Sequence, residues 1–338
     1  MSKSELELVA RALVAQGKGI LAADESFPTI EKRFKSVNVA STEENRRQYR
    51  EMLFTTPGLG DFISGVILFD ETMRQRAQDG RSLPALLVKQ GIIPGIKVDK
   101  GTVALPGFPG EKMTEGLDGL RDRLVEYRTL GARFAKWRAV ITIGTGIPTG
   151  GCIEANAHAL ALYAALSQEA GLMPIVEPEV LMDGAHSLGV CEAVTTDVLG
   201  CVFAELRAHR VALEGALLKP NMVLSGKSCP EQASAQEIAE ATLRCLRRVV
   251  PAALPGIVFL SGGQNPIQST ERLSVMNALG PHPWELSFSY GRALQEPALA
   301  AWKGSAANVP SAQKALFHRA RCNGAARHGK YAPELEKA

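Results

Sequence analysis

Apolar residues in this chain come in short, nearly continuous runs, with helix-patterned polar stretches between them. Eight runs stand out: Gly19–Asp24, Ile63–Asp70, Ile92–Asp99, Phe134–Val140, Met173–Glu179, Ala216–Lys219, Gly256–Gly263 and Trp284–Tyr290. Runs dominated by Val, Ile, Leu and Phe, without polar alternation, suit strands buried on both faces of a parallel sheet. The intervening stretches read as amphipathic helices. Leu117–Leu130 is one, with apolar residues at 117, 120, 124 and 130; Glu154–Ala170 and Ala235–Val250 are two more. Alternation of strand and helix over this length predicts a single (β/α)8 barrel spanning residues 1–338, with a helix at the N-terminus. The Pro/Gly-rich piece Gly101–Gly110 reads as a long strand-to-helix connection, and the small, basic stretch from about 320 to 338 as a mobile tail.

Composition narrows the class. Hydrophobic residues make up 46% of the 338 and charged residues 22%, enough apolar surface for one large core. The net charge of +3 is spread without a basic block, so no nucleic-acid arm is expected. No apolar run approaches the ~20 residues of a membrane span. The N-terminus is too acidic and broken for a leader, and the 6 cysteines form no C-x-x-C pair. Reduced thiols and a cytoplasmic location are the expectation.

The chemistry enters where the runs end. Asp24 closes the first and Asp70-Glu71 the second; Lys97 and Asp99 close the third, and Lys136 and Arg138 lie in the fourth. Glu177 and Glu179 close the fifth, Lys219 the sixth, Ser261-Gly262-Gly263 the seventh and Tyr290-Gly291-Arg292 the eighth. The C-terminal ends of barrel strands form the active-site face, so polar residues there read as functional. The spacing of two puts Lys97 with Asp99, Lys136 with Arg138, and Glu177 with Glu179 on common strand faces. The competing reading is a set of ion pairs plugging the barrel top. That many buried charges without a use would be expensive.

The 6 histidines form no metal-ligand pattern, and lysines among the carboxylates oppose a hard cation. No glycine-rich nucleotide-binding pattern follows a strand. No metal or cofactor is therefore expected. The remaining candidate is a lysine nucleophile. Lys219 follows Ala216-Leu217-Leu218, and desolvation with Lys136 nearby would favour its neutral amine. Such an amine converts a ketone to an iminium, an electron sink for carbon–carbon cleavage. Glu177, Glu179 and Asp24 are the carboxylates available for proton transfer. Ser261-Gly262-Gly263 and Gly291-Arg292 sit where barrels often hold phosphate.

These residues fall within segments that resemble class I fructose-1,6-bisphosphate aldolases. The segments are Leu21-Ala-Ala-Asp-Glu-Ser26, Glu43-Glu-Asn-Arg-Arg47, Gly95-Ile-Lys-Val-Asp-Lys-Gly101, Phe134-Ala-Lys-Trp-Arg138 and Pro174-Ile-Val-Glu-Pro-Glu179. Leu217-Leu-Lys-Pro-Asn-Met222, Leu260-Ser-Gly-Gly-Gln264 and Ser287-Phe-Ser-Tyr-Gly-Arg-Ala-Leu-Gln295 complete the set. The resemblance implies reversible cleavage of fructose 1,6-bisphosphate into two triose phosphates, in a homotetramer. It implies Lys219 as the Schiff-base lysine, Glu177 as the acid/base for dehydration with Glu179 as its partner, and Asp24 for the C4 hydroxyl proton. Lys136 and Arg138 would position substrate. Ser261, Gly262, Gly291 and Arg292 would meet the C1 phosphate, with Ser26, Lys97, Lys32 and Arg33 toward the C6 phosphate.

Two departures stand out. Phe27-Pro28-Thr29 replaces the small Thr-Gly pair more usual before Ser or Thr. The bulkier, stiffer loop bears on the C6-phosphate contacts and on sugar preference, with sedoheptulose 1,7-bisphosphate and fructose 1-phosphate as alternatives. No tyrosine follows Tyr331, where many eukaryotic members carry one that exchanges the enamine proton. Slower exchange, or exchange through another group, is expected here. A barrel kept as a scaffold would show a broken catalytic set, and none of its members is missing.

Overall fold

The computed structural model describes residues 3–337. Its strands are β1 (Gly19–Ala23), β2 (Ile63–Leu68), β3 (Ile93–Lys97), β4 (Thr102–Ala104), β5 (Lys112–Thr114), β6 (Phe134–Ile141), β7 (Met173–Val180), β8 (Leu217–Leu218), β9 (Gly256–Phe259) and β10 (Glu285–Tyr290). Eight of them close into a parallel barrel in the order β1-β10-β9-β8-β7-β6-β3-β2, with helices outside. The eight expected runs each supply one barrel strand. The three expected helices appear as Leu120–Thr129, Gly150–Glu169 and Ala235–Val249. β4 and β5 form an antiparallel hairpin within the connection after β3. Three-residue strands without apolar alternation leave no pattern to read.

Strand alternation decides which residues reach the interior. On β6, Ala135, Trp137 and Ala139 pack outward into the large core shared with the helices, while Phe134 belongs to the barrel interior. Lys136 and Arg138 continue the Phe134 row upward, so the same face is apolar below and cationic above. β1 and β7 repeat this: Ile20 and Ala22 lead to Asp24, and Met173 and Ile175 lead to Glu177 and Glu179.

The lower end is sealed by the first helix, Lys3–Leu13. Its Leu6, Ala10 and Leu13, with Val14, pack against Ile20, Phe134, Met173, Ile175, Leu217 and Val258. Glycines make room for these large side chains. A Cβ at Gly95 would lie 2.2 Å from the Phe134 ring, and one at Gly256 would lie 2.6 Å from Val14.

At the other end of the chain the structure differs from expectation. Helix Val309–Ala326 continues past residue 320, with Ala320, Cys322, Asn323 and Ala326 buried. Small residues permit this close packing: a Cβ at Gly324 would be 2.6 Å from the Phe62 ring. Beyond it, Glu336 accepts from Arg319 and from the Tyr331 hydroxyl. Composition alone suggested a loose tail because small residues that pack and small residues that flex look alike.

Candidate active site

The C-terminal strand ends surround a cavity of about 630 Å³. The residues proposed from the sequence for catalysis and substrate binding line it: Asp24, Ser26, Lys32, Arg33, Lys97, Lys136, Arg138, Glu177, Glu179, Lys219, Ser261, Gly262, Gly291 and Arg292. Asp70 and Glu71, which close the second run, do not and pair with Arg74 and Arg46 instead. Parallel pairing sets their heights. Lys97 is in register with Lys136, which sets two cations at one level, and Arg138 is in register with Glu177, which sets a cation beside a carboxylate one step higher.

At the floor, Glu177 bridges two amines. Its Oε1 lies 3.0 Å from Lys219 Nζ and its Oε2 lies 3.0 Å from Lys136 Nζ. Lys136 Nζ also reaches Asp24 Oδ2 at 2.8 Å and Asp99 Oδ2 at 3.9 Å. Lys97 Nζ closes the chain at 3.1 Å from Asp99 Oδ1. Three carboxylates thus interleave with three ammonium positions. Lys136, Glu177 and Lys219 are buried, at 2%, 3% and 4% exposure, so these charges meet where water screens them least. Arg138 pairs with Glu179 at the rim.

Burial pushes Asp24, Glu177 and Lys136 toward neutrality, but their partners overcome it. Desolvation would raise the Asp24 carboxyl, yet the fields of Lys136 and Lys219 hold it well below the usual carboxylate range. Glu177 is treated the same way by Lys136, Lys219 and Arg138 and is also lowered. Desolvation would lower Lys136, yet Asp24, Glu177 and Asp99 hold it above the ordinary lysine range. At neutral pH Asp24 and Glu177 are anions around a fixed Lys136 cation.

The walls differ from the floor. Helix Arg292–Trp302 starts at the cavity with Gly291 as its N-cap, presenting free backbone N–H groups and the positive end of its dipole. Arg292 reaches the Gln264 carbonyl at 3.5 Å, and no carboxylate pairs with it among the described residues. After β1, the barrel neighbour of β10, Ser26 caps helix Phe27–Lys35 without a side-chain capping bond; its hydroxyl is 3.2 Å from Thr29 Oγ1. Lys32 and Arg33 follow on the same helix. Each wall therefore offers a helix start, hydroxyls and cations, which is the chemistry of an anion site.

Several lining residues escaped the sequence reading. Thr29 stands three positions after Ser26, a spacing that puts both hydroxyls on one face of a helix. Glu25 is buried and accepts from Arg33, Arg50 and Gln295, while Gln295 also donates to the Ala22 carbonyl at 2.6 Å. This network fixes the end of β1 against three helices and so orients Asp24. Lys227 lines the rim and pairs with Asp183 at 2.7 Å. No local signal marks Glu25 or Gln295, because their partners are distant in sequence.

The expected effect of Phe27-Pro28 on the loop differs from what forms. The segment is the first turn of a helix, with proline at its start. Pro there removes an N–H that would have no partner and presets the backbone angle. Phe27 does not line the cavity.

A barrel whose mouth pairs a buried amine with carboxylates, flanked by two anion sites, defines an enzyme of carbonyl compounds bearing two acidic groups. The chain belongs to the class I fructose-bisphosphate aldolases, lyases that reversibly cleave fructose 1,6-bisphosphate through a lysine Schiff base; that family's model matches residues 5–338. It is 59% identical to the probable fructose-bisphosphate aldolase class 1 of Xanthomonas axonopodis pv. citri, over 98% of this chain and 99% of that one. It is 54% identical to the fructose-bisphosphate aldolase of Dictyostelium discoideum, over 98% and 93%. Among solved structures it is similar to Plasmodium falciparum fructose-bisphosphate aldolase in complex with TRAP and a small-molecule inhibitor. That match has a TM-score of 0.96 and 53% identity, covering 97% of this chain and 95% of that one. Among the described residues no helix is long and apolar enough to cross a membrane.

Proposed function

We propose that Lys219 is the Schiff-base nucleophile of this aldolase and that Glu177 carries the proton between nucleophile and leaving water. The observation behind this is the Glu177 carboxylate, ionised and 3.0 Å from Lys219 Nζ. Lys219 must shed a proton to attack the C2 ketone, and Glu177 is the acceptor within reach. The proton so gained then goes to the carbinolamine hydroxyl, which leaves as water and gives the iminium. Lys136 stays charged throughout, stabilising the oxyanion and returning Glu177 to its anionic form. Glu179, through Arg138, holds the rim of this group.

Asp24, kept ionised by Lys136, takes the C4 hydroxyl proton as the C3–C4 bond breaks. The bonding electrons move into the iminium, leaving an enamine on Lys219 and releasing the aldehyde. Ser261, Gly262, Gly291 and Arg292 receive the C1 phosphate. Ser26, Lys32, Arg33 and Lys97 receive the C6 phosphate. The proposed setting is a cytoplasmic homotetramer acting on free sugar phosphates.

Iminium formation exchanges the ketone oxygen with solvent, which supplies a test. Wild-type enzyme should transfer heavy oxygen from labelled water into dihydroxyacetone phosphate, and Lys219→Met should abolish the transfer. Exchange at the wild-type rate in that variant would overturn the assignment.

A further inference from the structure

Phe27 projects away from the cavity and is held by two contacts. Its ring meets Phe69 edge-to-face, with centroids 5.2 Å apart and planes at 83°. The Arg46 guanidinium lies over the same ring, 4.7 Å from its centre. Arg46 is itself held by Glu71 through two bonds of 2.8 and 2.6 Å, and by the Ser41 carbonyl at 2.6 Å. Phe69 caps, and Glu71 lies within, the short helix Asp70–Arg74 that follows β2, so one segment supports both contacts on the ring.

The second face of this contact is Lys97. Its Nζ lies 5.9 Å from the centre of the Phe69 ring and 3.1 Å from Asp99 Oδ1. The lysine is thus confined between a carboxylate and a ring, and the ring is confined by Phe27. On the cavity side, Ser26 and Thr29 flank Phe27 in the same helical turn. An ammonium held against an aromatic face loses fewer rotamers when it takes up an anion than a free lysine does.

We infer that Phe27, Phe69 and Arg46 form an aromatic clamp that positions Lys97 and the Ser26–Thr29 turn for the second phosphate, making Phe27 a positioning residue that favours bisphosphorylated over monophosphorylated ketoses. The clamp rests on the assignment of Lys97 and Ser26 to the C6 phosphate. Among the described residues no hydrogen bond, ion pair or ring contact joins Phe27, Phe69 or Arg46 to Lys219, Glu177, Gly291 or Arg292, so the clamp acts on one end of the substrate. Edge-to-face and cation–ring contacts of this kind correspond to a roughly fivefold effect on binding when lost.

The test compares KM and kcat for fructose 1,6-bisphosphate and fructose 1-phosphate. Phe27→Ala should raise KM for the bisphosphate about fivefold and leave KM for the monophosphate unchanged. Phe27→Tyr, which keeps the ring, should restore the wild-type ratio. A merely structural role would move both substrates together. Equal shifts, no shift, or no rescue by tyrosine would overturn the clamp. Lys97→Met separates the two layers of the argument. If it too leaves the ratio unchanged, the assignment of Lys97 to the second phosphate is wrong and the clamp falls with it. If Lys97→Met moves the ratio and Phe27→Ala does not, the clamp alone is wrong.

Discussion

Replacing Lys136 with methionine tests the charge arrangement most severely. Lys136 is 2% exposed and stands 2.8 Å from Asp24, 3.0 Å from Glu177 and 3.9 Å from Asp99. Its loss leaves three buried carboxylates facing one another, with Lys219 and Lys97 as the remaining cations. Removing one partner of a buried ion pair costs about 3–5 kcal/mol. The two remaining lysines and the option of taking up a proton keep the loss near the lower limit, about 3 kcal/mol. Taking ~2.1 cal/mol/K per residue over 338 residues, that corresponds to a Tm lower by about 4 °C.

The pH dependence is the sharper reading. In the wild type, the folded values of Asp24 and Glu177 lie below their ordinary 3.8 and 4.5, so neither binds a proton above pH 5 and their contribution there is flat. In Lys136→Met at least one carboxyl should be raised above its unfolded value. The native state then carries an extra proton, and stability falls as pH rises, by up to ~1.4 kcal/mol per pH unit between those two values. Thermal unfolding at pH 5, 6, 7 and 8 should show a variant that is closest to wild type at pH 5 and diverges upward. A variant profile parallel to the wild type would refute the claim that Lys136 is needed to keep these carboxylates ionised.

Three further outcomes follow from the same structure. Glu177→Gln keeps the shape but can neither accept nor return a proton, so kcat should fall about a hundredfold or more in steady-state cleavage assays. A fall below tenfold would move the shuttle role elsewhere. Leu13→Ala empties the barrel floor, where Leu13 is fully buried against strand residues, and should cost about 3–5 kcal/mol in denaturant unfolding with little change in KM. In wild type, the lowered Asp24, Glu177 and Glu25 contribute stability that is complete above pH 5 and lost in acid as each titrates. The raised Lys136 contributes stability complete below its ordinary 10.5 and lost above it. Burial also lowers His186 below its ordinary 6.5, which costs stability in acid, and raises the Cys152 and Cys245 thiols above their ordinary 9.0, which costs stability in base. A plateau from about pH 7 to 9 should therefore appear in a denaturation series, and stability still rising above pH 9 would contradict it.

What the sequence revealed was whatever repeats along the chain. The barrel is legible because buried parallel strands need near-continuous apolar runs, and polar residues at their ends have one place to go. Lys136 and Arg138 could be put on one face because strands alternate, and Trp137 between them packs outward as that alternation requires. The Glu25, Arg50 and Gln295 network was invisible because it joins residues up to 270 positions apart with no shared pattern. The hairpin of β4 and β5 was too short to show a period, and the packing of Gly324 depends on Phe62, far away in the chain. Phe27 illustrates a further limit. Its identity was plain, but the side on which its ring would lie depended on Phe69 and Arg46.

The chemistry of the site turns on which lysine carries the substrate. Enzyme mixed with dihydroxyacetone phosphate should be treated with borohydride in excess EDTA, then digested and mapped by mass. A reduced triose phosphate on Lys219, with activity lost irreversibly, is the predicted result. An adduct on Lys136 or Lys97, or no adduct together with activity abolished by EDTA alone, would contradict it.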